Sequence, residues 1–144
     1  MNLKEFCILN CLASLAMTLI VFFCMSACDV HADIDIQTPD IESVIGDYSG
    51  NYGFGNETPE NPILYKIKAG GVFQEIGLHA GSVVGQGTWE MTGDIITAQY
   101  TTTFAPFNKY SIRATFDIHS GSLKGTWGGE HNASDGGKIV LYQN

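Results

Sequence analysis

"KYSIRATFDI", residues 109–118, alternates without interruption. Tyr110, Ile112, Ala114, Phe116 and Ile118 share one face, while Lys109, Ser111, Arg113, Thr115 and Asp117 share the other. A period of two with one apolar face marks a strand half-buried against a core. The preceding "IITAQYTTTF" (95–104) repeats the pattern through Ile96, Ala98, Tyr100, Thr102 and Phe104. Only residues 105–108 separate the two runs, a connection short enough to force antiparallel pairing.

Working outward in both directions, the same reading predicts eight strands, at about 46–54, 63–68, 72–79, 83–91, 95–104, 109–118, 122–128 and 138–143. The third is the least regular, because "VFQEIGLH" alternates poorly. Short connections make the set a meander, and a meander with one apolar face can bury it by closing on itself, which also removes exposed edges. The expected fold is therefore all-β: a small eight-stranded antiparallel up-and-down barrel over 46–144, with a two-sheet sandwich as the alternative.

The head of the chain has a different character. After Lys4 and Glu5, residues 6–27 carry no charge ("FCILNCLASLAMTLIVFFCMSA") and end in small residues, the layout of an export signal. The run is long enough to span a bilayer if retained as an anchor, but two cleavage sites follow it at once. Met25-Ser26-Ala27-Cys28 resembles the lipobox of bacterial lipoprotein precursors. That resemblance implies a signal peptide over 1–27, a diacylglyceryl group on the Cys28 thiol and attachment to a membrane of the cell envelope. Val30-His31-Ala32 is an ordinary small-x-small site, and cleavage after Ala32 would instead release a soluble secreted protein. Lipidation at Cys28 is the favoured reading.

All four cysteines (Cys7, Cys11, Cys24 and Cys28) lie in or beside the signal, so the body has none for a disulfide, a metal cluster or a nucleophile. Residues 28–45 form an acidic tether. Between Asp29 and Asp47 there are six acids and no base, whereas from Tyr48 onward eight acids face six bases. The net charge of −8 thus resides mostly in the lead-in. Within that segment Ile41, Val44 and Ile45 are spaced to fold back as one turn and plug a barrel end. No basic patch is present, which argues against a nucleic-acid partner.

"GDYSGNY" (46–52) opening a meander, with "GTWE" (87–90) and "GTWG" (125–128) later, is similar to the calycin group of small barrels, the lipocalins and avidins. Gly46-Asp47-Tyr48 stands where lipocalins carry Gly-x-Trp. The resemblance implies the barrel and says little about a ligand.

In such a meander the tight connections 69–71, 92–94 and 119–121 share one end. The longer "GNETPENP" (55–62), "AGS" (80–82), "APFN" (105–108) and "GEHNASDGG" (129–137) share the other, where function is expected. His79, His131, Glu57, Glu60, Glu130 and Asp135 fall at that open end, but without metal-ligand spacing; solvated loop side chains are the simpler account. Trp89 and Trp127, on faces shared with glycines, together with Tyr52 and Tyr100, are the candidate ligand-binding residues; the alternative is that they pack the barrel solid. No Gly-x-Ser-x-Gly, His-Glu-x-x-His or phosphate-loop pattern occurs, and no cofactor or metal is called for. The expectation is a non-enzymatic envelope lipoprotein that binds a small apolar ligand or an envelope protein. A secreted packed-core inhibitor or structural module is the alternative.

Overall fold

A computed structural model of the chain describes residues 39–144; the signal, Cys28 and most of the acidic tether lie outside the described residues. Eight strands follow one another: β1 (Gly46–Tyr52), β2 (Asn61–Lys68), β3 (Val72–Ile76), β4 (Val83–Thr92), β5 (Ile95–Thr102), β6 (Lys109–Asp117), β7 (Ser122–Gly129) and β8 (Gly137–Gln143). Each pairs antiparallel with the next, and β1 pairs with β8 from Tyr48↔Gln143 to Tyr52↔Ile139, so the sheet closes into a barrel. Closure leaves no edge strand to template aggregation.

The expected strands match those observed to within a few residues, with the largest difference in β3. It ends at Ile76 rather than residue 79, because the register slips between Glu75 and Ile76. The extra residue of that bulge is Val84 on β4, since Glu75 pairs with Gly85 and Ile76 with Val83. Beyond it Gly77 and Ser82 close a turn (Gly77 N donates to Ser82 O, 2.8 Å).

Strong curvature in so small a barrel brings backbones into near contact. A Cβ at Gly87 would fall on the Gln99 carbonyl of β5, and one at Gly125 on the Arg113 carbonyl of β6. These glycines are a condition of closure.

The end with tight turns is closed by a plug. Asp40 caps a single helical turn, α1 (Ile41–Val44), its carboxylate accepting from Ser43 N at 2.8 Å. Val44 is fully buried, Ile45 packs against the core, and Ile41 is left exposed. The Tyr48 hydroxyl donates to Val44 O at 2.8 Å, and the Gln143 amide donates to Ser43 O and Ile45 O. Above the plug, Ile67, Ile96, Ile112, Phe116, Leu123, Ile139 and Leu141 fill this half of the barrel. Burying each such side chain contributes on the order of 1.5–3 kcal/mol.

Candidate functional site

The other half of the barrel is hollow. A cavity of about 480 Å³ opens between the long loops, within the range usual for small-molecule sites of about 300–1,000 Å³. Because side chains alternate along each strand, inward aromatic or aliphatic residues from β1, β2, β5, β6 and β7 reach it: Tyr52, Ile63, Tyr65, Tyr100, Tyr110 and Trp127. Phe54, Leu78, His79 and Phe104 form the mouth. Phe104 and Phe54 are more than half exposed there, at 55% and 52%.

The rings make one continuous belt. Trp127 meets Tyr52 and Phe54 edge-on (5.4 and 5.5 Å between centroids) and reaches Tyr110 at 6.1 Å. Tyr110 then meets Tyr100, which meets Phe73 and Tyr65. Such contacts stabilise beyond simple area burial by about 0.5–1.5 kcal/mol each. The Trp127 indole N–H donates to Gly53 O at 3.0 Å, so its polar atom is already satisfied and its ring is left as wall.

His79, Thr102 and Asn108 add polar groups to the lining, and two further polar features lie among the rings. The hydroxyls of Tyr65 and Tyr100 lie 3.1 Å apart, and burial holds both far above the ordinary phenol range, so they remain neutral. Beside them stands Glu75, paired directly with Tyr65 across β2 and β3. Burial pushes its carboxyl up, with the Tyr100 hydroxyl partly opposing the shift. Among the described residues no cationic side chain forms an ion pair with it.

Space for this arrangement comes from Gly85, opposite Glu75 on β4. A Cβ there would stand 2.8 Å from the Tyr100 ring and 3.1 Å from the Glu75 Cβ. Gly85→Ala is therefore expected to displace Tyr100 and cost about 1–3 kcal/mol by overpacking. A thermal melt reads the cost, and an unchanged Tyr100 ring environment by NMR would contradict it.

Of the residues singled out from sequence, Tyr52, Tyr100 and Trp127 line the cavity, and Trp89 does not. Trp89 lies at the closed end, 7% exposed, its indole N–H donating to Lys68 O at 2.8 Å. It packs in the core, so the two tryptophans sit at opposite ends of the barrel. The open-end polar group is not assembled either. His79 is at the mouth, but Glu130 pairs with Lys109 (3.0 Å) and lies 3.6 Å from His131 on the outer surface. The Lys109 ammonium beside it lowers the Glu130 carboxyl, first through their hydrogen bond.

The β7–β8 loop folds back over the outside of β7. A Cβ at Gly128 would collide with Asn132 O and the Asp135 carboxylate, and Asp135 Oδ1 accepts from Gly129 N at 2.8 Å. Among the described residues no three His, Cys, Asp or Glu side chains converge as metal ligands.

Glu75 is the site residue that the sequence reading missed. Its signal was present as an acid two residues after Phe73, on the same face, in the one strand that alternates poorly.

Fold and site together define a closed eight-stranded meander, plugged at one end and hollow at the other. Comparison with protein-family models, curated proteins and solved structures finds no significant match to this chain. The class is thus defined by geometry alone.

Proposed function

We propose that this chain is a non-enzymatic, exported binding protein, held to a bacterial envelope membrane through a lipid on Cys28, that takes a compact apolar molecule into the cavity. The observation that carries the reading is the 480 Å³ space itself, walled by tyrosine and tryptophan rings. The lipobox-like stretch 25–28 supports the tether. The lead-in chain joins the barrel through α1, at the end opposite the mouth. A tether attached there leaves the mouth free to face away from the membrane. The calycin-like opening "GDYSGNY" agrees with this use of the barrel.

Native-condition mass spectrometry of the mature protein from its own host tests both halves of the proposal. The expected species begins at lipid-modified Cys28; a chain beginning at Asp33 would instead indicate a secreted form. With purified barrel and the neutral fluorophore N-phenylnaphthylamine, saturable binding of one molecule per barrel is expected. Trp127→Ala should weaken it by roughly tenfold, the scale of losing one aromatic wall, while Glu130→Gln on the outer surface leaves it unchanged. Non-saturable binding, or equal loss in both variants, would overturn the cavity reading. The exposed rim of Phe54, Leu78, Phe104 and Phe107 would then favour the second reading, a surface for a protein partner.

A further inference from the structure

The position of Glu75 narrows the ligand class, and the argument rests on the cavity reading above. A carboxylate that lines a largely apolar pocket needs a reason to be there, since half-burying it without a countercharge is costly. The packing offers it the Tyr100 hydroxyl and no countercharge. Glu75 faces Tyr65 across the β2–β3 ladder, Gly85 across β3–β4, and the Tyr100 ring beyond. None of these is a cation, and the pocket lining contains no Lys or Arg. The titratable groups near it are the neutral phenols of Tyr65 and Tyr100, with Tyr52 and Tyr110 along the belt and His79 at the mouth. An apolar ligand alone would be served better by Gln or Leu at this position.

The rest of the wall has the complementary property. Aromatic faces carry negative quadrupoles that attract a cation, and the attraction is larger when both are withdrawn from water. Tyr52, Tyr65, Tyr100, Tyr110 and Trp127 surround the same space that Glu75 enters. We infer that the cavity selects an organic cation, an apolar or aromatic body bearing a protonated or quaternary nitrogen, with the nitrogen set against the Glu75 carboxylate and the ring belt around it.

Three probes of the same shape and different charge test this by calorimetry on the purified mature protein: 2-naphthylmethylammonium, neutral 2-naphthylmethanol and anionic 2-naphthoate. The cation is expected to bind at least roughly tenfold more tightly than the alcohol, the scale of one desolvated charge pair with cation–π support, and the anion weakest. In Glu75→Gln the cation should fall to the level of the alcohol while the alcohol is unchanged. That variant should melt no lower than the parent, because it removes a charge that burial disfavours. Equal binding of cation and alcohol in the parent protein would overturn the charge inference and leave the cavity reading standing. Preference for the anion would overturn it by showing that Glu75 binds as a protonated donor. Failure of all three probes to bind would sink both readings.

Discussion

Trp89→Ala is expected to lose about 3–5 kcal/mol of stability, the cost of deleting a large aromatic from a packed core. The site argues for the upper part of that range. Trp89 is 7% exposed, it opposes Ala98 on β5, and its indole donates to Lys68 O at the β2–β3 turn. Removing it opens a void between small neighbours and leaves that carbonyl without its side-chain donor. A domain of this size has only about 5–15 kcal/mol in total, so a large part of its margin disappears. Urea denaturation followed through Trp127 fluorescence measures the loss. Trp89→Phe, which keeps most of the volume, should lose appreciably less. Ligand affinity in the fraction that remains folded should be unchanged, because Trp89 is remote from the cavity. A Trp89→Ala protein with near-parental stability would mean that the closed end is looser than its burial indicates.

The pair of tryptophans also shows how far the sequence could be read. Period-two alternation identifies the face of a strand, and here it placed Trp89 and Trp127 correctly on the inside. It does not identify height along the barrel axis, which depends on inter-strand register. Trp89 sits opposite Ala98 near the tight turns, whereas Trp127 sits opposite Gly137 near the mouth. The strands, their meander order and the α1 plug were all legible, since each follows from local patterning. The hollow half was not, because whether inward rings meet across the axis or stand apart is a matter of volume and curvature. Glu75 escaped for a related reason: alternation puts it on the face of Phe73, but only the register that sets it between Tyr65 and Gly85 brings it to the cavity. The sequence shows that loop 129–137 is longer than a hairpin needs, but not that Gly128 lets it pack over the outside of β7.

Alkaline pH should unfold the barrel steeply. Burial raises the Tyr48 phenol from 10.0 to about 12, and it raises Tyr65 and Tyr100 further still. In the unfolded chain all three would ionise near 10.0. Above that value the native state therefore binds more protons than the unfolded state, and stability must fall as pH rises. The contribution of these phenols is fully present below pH 10 and is lost as pH climbs toward 12, where Tyr48 itself begins to ionise in the fold. Each group contributes about 1.4 kcal/mol per pH unit in that window, so three together give a slope of about 4 kcal/mol per unit. Two units would consume most of the stability of a small domain. The measurement is a series of urea melts between neutral pH and pH 12, with tyrosinate absorbance recorded alongside. Unfolding and tyrosinate formation should coincide. Tyr65→Phe and Tyr100→Phe should each flatten the slope by roughly a third. Tyr48→Phe should flatten it too, but from a lower starting point, because the bond from its hydroxyl to Val44 O is lost, at about 1 kcal/mol. Tyrosinate signal from all three phenols in a protein that remains folded would show that water reaches them, and the burial of Tyr65 and Tyr100 in the cavity wall would have to be redrawn.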